Sequence, residues 1–226
     1  MSTKLAKGEP FFYYFSGVLL ITVVFAFGMN ILLRNYHLDS PMPLIIAHGI
    51  AMLLWYVILF WQTRQIRVNN LKNHMQVGLM TIVLAIIIII SGVMIAISNF
   101  KGEGEALTLF GNFSGLFVFG ILYVFALKNR MQSAIHKRLM IVASIAMLSP
   151  ALVRILRIFE INDFVTLPFW LLYMAALPIY DYKKFNKVHK TTLLATGFLL
   201  LILFGGAPIG MSEGWSSLME SIFRSN

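Results

Sequence analysis

The feature that most constrains this chain is a series of apolar runs, several of them about 20 residues long, separated by short polar turns. An α-helix rises 1.5 Å per residue, so roughly 20 apolar residues cross the ~30 Å hydrocarbon layer of a bilayer. The runs place helices near 11–33, 42–61, 75–98, 107–127, 138–158, 164–180 and 191–210. Only 12% of the 226 residues are charged and 59% are hydrophobic, against about 25% charged in a soluble domain. No water-soluble core accommodates that excess, so lipid is the main solvent. Within lipid every backbone amide needs an internal partner, and the Leu/Ile/Phe runs lack the in/out alternation of a barrel strand. The expected fold class is an all-α integral membrane protein with seven transmembrane helices.

The net charge of +9 is divided among short loops and forms no contiguous patch in the sequence, which argues against nucleic acid as a partner. Cytoplasmic loops carry the excess of lysine and arginine. Grouping the N-terminus with the second, fourth and sixth connections collects Lys4, Lys7, Arg64, Arg67, Lys72, Lys128, Arg130, Lys137, Arg138, Lys183, Lys184, Lys187 and Lys190, which is 13 of the 18 basic residues. The other side holds Arg34, Lys101, Arg154, Arg157 and Arg224 with the acids Asp39, Glu103, Glu105, Glu160, Asp163, Glu213 and Glu220. This distribution puts the N-terminus inside and the C-terminus outside. The run from Phe11 to Leu33 follows two lysines as a signal sequence does, but its length and the lack of a small-x-small cleavage site favour a retained helix. Residues 1–211 form one expected seven-helix domain. Residues 212–226 place Trp215, Leu218, Met219, Ile222 and Phe223 at helical spacing, which suits an amphipathic tail helix on the outer surface.

A faint repeat organises the spans as one leading helix plus three antiparallel hairpins. Each hairpin has a basic turn ending in a histidine: His74, His136 and His189. Side-by-side hairpins put these imidazoles at one membrane level, each at a helix start where the macrodipole favours the neutral, ligating form. Asp181 adds a carboxylate to the set, and Gln62 holds a corresponding place after the second helix. Three histidines and one aspartate suit a divalent metal, namely zinc, iron or manganese. The alternative is that these residues face headgroups or cap helices, because the spacing matches no His-Glu-x-x-His motif. Cysteine is absent, which removes thiolate metal sites, disulfides and cysteine nucleophiles.

His48 lies within an apolar run, where an ionisable side chain is a functional candidate by default. It shares a helical face with Met52, Trp55, Leu59 and Gln62. It is either a haem ligand, although His37 in the outer loop is the only other histidine on that side, or a core histidine bonded to a neighbouring helix, with Asn112 the nearest polar counterpart. Arg154 and Arg157 follow Pro150 on the outer side, against the orientation rule. They either clamp an anionic group such as a lipid phosphate, a haem propionate or a carboxylate, or reach the interface and pair with Glu160 or Asp163. Lys101-Gly102-Glu103-Gly104-Glu105 is a turn, since no strand precedes it and no Gly-Lys-Ser/Thr follows. The last span has no lysine for a retinal Schiff base, and Ser91, Ser98, Ser144 and Ser149 have no Gly-x-Ser-x-Gly elbow.

The segments His136-Lys137-Arg138-Leu139-Met140 and Pro150-Ala151-Leu152-Val153-Arg154 resemble a pattern of uncharacterised bacterial polytopic membrane proteins. So do His48-Gly49 through Trp55 and Gln62, Asn73-His74 with Gly78, and Tyr180-Asp181 ahead of Val188-His189. The resemblance implies a bacterial inner-membrane location and a shared set of polar residues, and it carries no activity. The leading expectation is therefore a membrane protein with a metal-binding histidine cluster on the cytoplasmic side, acting on or sensing a lipid-soluble molecule. As an enzyme it would be a metal-dependent hydrolase or oxidoreductase. The alternatives are a haem-binding or oxidase-assembly protein using His48 and Arg154, and a module that binds or transports a small solute such as an anion.

Overall fold

The computed structural model describes residues 9–33, 42–102, 105–162 and 165–223. Lys4, Lys7, Arg34, His37, Asp39, Glu103, Asp163 and Arg224, which entered the orientation and site arguments, lie outside them. The helices are α1 (Pro10–Leu33), α2 (Met42–Arg67), α3 (Leu71–Ser98), α4 (Ala106–Lys128), α5 (Ser133–Ala146), α6 (Ser149–Ile158), α7 (Thr166–Phe185), α8 (Lys190–Leu200), α9 (Gly206–Gly210) and α10 (Glu213–Phe223). A π-helical turn, Leu201–Gly205, joins α8 to α9. No strand occurs among the described residues.

Among the described residues five helical stretches are long and apolar enough to cross a membrane: α1, α2, α3, α4 and the continuous stretch Lys190–Gly210. A sixth is made by α5 and α6 together, which are bent by 43° at their break. The helix α7 is outside that set, because Pro168, Pro178, Asp181 and three tyrosines dilute its apolar content. Several expected ends moved outward. The second helix continues past residue 61 to Arg67 and the third starts at Leu71, since basic and polar residues extend a helix beyond its apolar part at no cost in water.

The expected helix 138–158 is broken, and the residues around it show why. Pro150 has no N–H to donate, and its ring clashes with the carbonyl four residues back. A helix end in an apolar interior leaves carbonyls that need donors. Tyr56 donates its hydroxyl to the Ser144 carbonyl at 2.8 Å, and the Trp170 indole N–H donates to the Ile145 carbonyl at 3.0 Å. The Trp55 indole donates to the Ser144 hydroxyl at 3.0 Å. A Cβ on Gly115 would stand 3.2 Å from the Ala146 carbonyl, so α4 approaches the break closely. Three aromatic donors from α2 and α7 thus hold the bend in place.

Helix α5 is the centre of the bundle: it touches α1, α4, α7 and α8, and every residue from Ile141 to Leu148 is buried. Polar contacts tie the surrounding helices together, as in other membrane bundles. Ser16 meets Thr63 at 2.9 Å, Thr22 meets Tyr173 at 2.6 Å, and Thr81 meets Tyr123 at 2.7 Å. The third expected hairpin is splayed, because α8 packs chiefly on α5 while α7 lies against α6. At the π turn, Gly206 and Gly210 face the Phe110 ring so closely that a Cβ on either would come within 2.6 or 2.7 Å of it. The tail helix expected within 212–226 is α10, which packs on α4 and α9. Its Trp215 indole donates to the Ala106 carbonyl at 2.9 Å, and Met219 is buried with Ala96 and Leu109.

Candidate functional site

The basic ends of the helices converge. Glu9, just ahead of α1, pairs with Lys137 of α5 at 2.9 Å and Lys184 of α7 at 3.0 Å, and it accepts the Tyr180 hydroxyl at 2.7 Å. Burial raises the Glu9 carboxyl, but the hydrogen bonds from Lys137, Tyr180 and Lys184 outweigh that effect and hold it lowered to about 2. Arg67, at the end of α2, lies over the rings of Tyr13 and Tyr14 of α1. Through these contacts the start of α1, the end of α2, the starts of α3, α5 and α8 and the ends of α4 and α7 share one end of the bundle. Two polar clusters are built there, and they differ in chemistry.

The first is centred on Asp181 and Arg138, which are 0% and 1% exposed. The guanidinium grips both carboxylate oxygens, Nη2 to Oδ1 at 2.5 Å and Nε to Oδ2 at 3.2 Å. Its Nη1 donates to the Ala134 carbonyl at 2.8 Å. Oδ2 also accepts the Thr192 hydroxyl at 2.5 Å and the His189 backbone N–H at 3.2 Å. The rings of Phe12 and Phe185 each lie 5.9 Å from the guanidinium carbon. A two-pronged arginine–carboxylate pair with its remaining positions filled is the geometry in which a buried ion pair is tolerated. This cluster ties α5, α7 and α8 together.

His189 belongs to the same cluster, as a helix cap. Its Nδ1 accepts the Thr191 N–H at 3.1 Å, from a residue in extended conformation at the start of α8. Burial, then the positive charge of Arg138, hold its imidazole below the ordinary histidine range, which keeps the accepting nitrogen bare.

The second cluster lies between α2, α3 and α5. The rings of His74 and His136 meet edge to face with centroids 6.3 Å apart. His136 Nδ1 lies 2.8 Å from the Ala126 carbonyl. A carbonyl only accepts, so Nδ1 carries the proton and Nε2 presents a lone pair when the ring is neutral. His74 Nδ1 is buried with no protein partner. Gln62 is 9% exposed, and neither its amide nitrogen nor its amide oxygen has a partner. Gly78, one turn after His74, faces that amide: a Cβ there would stand 3.6 Å from Gln62 Nε2, in ordinary contact.

The four expected metal ligands are therefore divided. His74 and His136 converge, whereas Asp181 is occupied by Arg138 and Thr192 and His189 caps α8. No group of three or more His, Asp or Glu side chains among the described residues is gathered to hold a metal ion. Chain spacing identified the polar residues but not their partners, because Arg138 read as one of many cytoplasmic charges. The available signal was its helical spacing with Ile141, Val142 and Ile145, all buried on α5. Glu9 had no signal beyond an acid placed immediately before a Pro-started helix.

Toward the other end, His48 Nδ1 lies 2.8 Å from the Ser91 hydroxyl on α3, and Arg154 is within its electrostatic reach. The partner is Ser91 rather than Asn112, which is exposed. Arg154 donates to the Pro150 carbonyl at 2.9 Å and lies 4.9 Å from the centre of the Phe27 ring. The helical face His48, Met52, Trp55, Leu59 and Gln62 turns inward as the periodicity implied, with all but His48 buried and that residue half-buried. An open groove of about 470 Å³, lined by Phe11, Ala176, Ile179, Tyr180, Lys183 and Lys184, lies at the basic end between α1 and α7. Comparison with known protein families, curated proteins and solved structures gives no match.

Proposed function

We propose that this chain is a polytopic membrane protein that holds a lipid-soluble small molecule at the Gln62, His74 and His136 cluster. The observation that carries this reading is the Gln62 amide, buried with both polar atoms unpartnered beside an equally unpartnered His74 Nδ1. A buried amide without hydrogen bonds costs about 1–3 kcal/mol, so a group that completes these bonds gains that free energy on binding. The cluster's setting, under the basic ends of apolar helices, favours a ligand that enters from the bilayer. In this arrangement α5–α6 and α7 each count as one crossing, giving seven. The basic end faces the cytoplasm by the charge rule. Support for counting α7 comes from its pairing with α1 in opposite sense: Tyr173 meets Thr22, while Tyr180 meets Glu9.

The test is extraction of the purified full-length protein with organic solvent, followed by mass spectrometry, for the natural chain and for Gln62→Leu and His74→Ala. A compound retained by the natural chain and lost from both variants is the expected result. Equal retention by all three rejects the site. Metal analysis of the same preparations reads the competing occupant, an ion shared by His74 and His136.

A further inference from the structure

The groove between α1 and α7 is lined in order of polarity. Ala176, Ile179, Tyr180, Lys183 and Lys184 stand at helical spacing on one face of α7, and Phe11 of α1 lines the facing wall. Side chains, more than close backbone approach, bridge these two helices. The Phe11 and Tyr180 rings stack with centroids 4.1 Å apart, and farther from the basic end Thr22 meets Tyr173. Between Tyr173 and Tyr180, Ala176 offers only a methyl group, and the space left is about 470 Å³, within the size range of sites that hold a small ligand. Ala176 and Lys183 are about 10 Å apart along the helix axis, while the headgroup layer of a bilayer is roughly 5–8 Å thick. The face thus runs from Ala176 and Ile179, the latter 51% exposed, past Tyr180 to two ammonium groups. That is the depth over which a phospholipid passes from acyl chain to phosphate, with an aromatic residue at the boundary.

Charge then selects among lipids. Apart from Asp181, which Arg138 neutralises, Glu9 is the one acid at this end among the described residues, and it is shared between Lys137 and Lys184. Lys184 is held at the rim by Glu9 at 3.0 Å and by the Tyr180 hydroxyl at 3.1 Å. Lys183 is exposed and pairs with no acid among the described residues. Lys137, Lys183 and Lys184 together stand against one carboxylate, so the rim keeps an excess of positive charge. A neutral lipid would fill the wall and leave those cations unanswered, and a choline headgroup would bring a further cation beside them. A soluble phosphate would meet the lysines and leave the apolar wall bare. We propose that the groove between α1 and α7 is a binding site for an acidic phospholipid, its phosphate at Lys183 and Lys184 and an acyl chain along Phe11, Ala176 and Ile179. The site is separate from the Gln62 cluster and rests only on the reading of α7 as a crossing beside α1. A lipid in this place fills the gap between the two helices.

The experiment titrates full-length protein in detergent micelles with phosphatidylglycerol, with phosphatidylcholine of the same chains and with glycerol phosphate, counting bound molecules by native mass spectrometry. Phosphatidylglycerol is expected to bind at least about fivefold more tightly than phosphatidylcholine, as one lysine near a lipid surface implies. Glycerol phosphate, which has no chains, is expected not to bind at matched concentrations. Lys183→Gln, at an exposed position, should remove most of the preference. Glu9→Gln, which removes the carboxylate that competes with the phosphate for Lys184, should raise it, and a fall would count against the site. Ala176→Phe fills the apolar wall and should weaken both lipids, and Gln62→Leu should change neither. Equal affinity of the natural chain for the two lipids, or a preference that survives Lys183→Gln, overturns the proposal, and so does glycerol phosphate binding as tightly as phosphatidylglycerol. The chain has no cysteine, so Ile179→Cys in phosphatidylcholine vesicles reads separately whether this face lies in the bilayer. Protection from a water-soluble maleimide is expected. Rapid labelling would remove α7 from the bilayer and the site with it, whereas protection with equal lipid affinities would overturn the site alone. Lys183→Gln keeps the test open if Ala176→Phe does not fold.

Discussion

Two polar clusters share one end of the bundle, yet one is closed and the other open. Around Asp181 every oxygen is taken, by Arg138, Thr192 and the His189 backbone. Around Gln62 the amide and the His74 Nδ1 are left without partners. A buried polar network that satisfies itself fixes how helices pack, whereas one that stops short has room for a further group. Burial alone does not separate these cases, because Asp181 and Gln62 are both buried. The number of bonds still unmade does.

The contrast is sharpest under substitution. Asp181→Ala strands the Arg138 guanidinium, 1% exposed, in the core. It should lower stability by about 3–5 kcal/mol, read as a shift in denaturant-induced unfolding in detergent micelles. The paired change Arg138→Met with Asp181→Leu should recover most of that loss, since both charges go together. Next in size is Trp170→Phe, which removes the donor from the Ile145 carbonyl at the α5–α6 break. A loss of about 1–3 kcal/mol is expected in the same assay, and a change below 0.5 kcal/mol, roughly the scatter of a neutral surface change, would mean the bend needs no such cap.

Gln62→Leu should behave in the opposite way from Asp181→Ala. Removing an amide with no partners removes a desolvation cost, so ligand-free stability should stay level or rise by about 1 kcal/mol. The smallest effect concerns Glu9. Its carboxyl is lowered to about 2 from the usual 4.5, so its contribution is fully present above about pH 4.5 and is lost as pH falls toward 2. Melting temperature followed from pH 7 to pH 3 should fall more for the natural chain than for Glu9→Gln. Parallel curves would mean that the contacts to Lys137 and Lys184 add nothing.

Much of this architecture was legible in the apolar runs, because a ~30 Å hydrocarbon layer imposes one length on every spanning helix. The helix positions followed, and so did the inward face through Trp55, Leu59 and Gln62. Pro150 stood in view within the expected helix 138–158, but not the Tyr56 and Trp170 donors that stabilise the break before it, since they come from other helices. The histidines were visible as candidates, and the structure separates them by partner: His74 with His136, His189 at the α8 cap, His48 with Ser91. Sequence could not decide this, because the separation depends on α8 packing more on α5 than on its hairpin neighbour α7. Arg138 was hidden for a related reason, as a lysine- and arginine-rich turn gives no sign of which charge faces inward.

The most direct measurement of the difference between the clusters is the thermal shift produced when purified, delipidated protein is given back its own membrane's neutral lipid extract. The account predicts that the natural chain rises in melting temperature while Gln62→Leu, folded and no less stable at the start, does not. A Gln62→Leu protein that gains the same shift, or that begins as destabilised as Asp181→Ala, would contradict it.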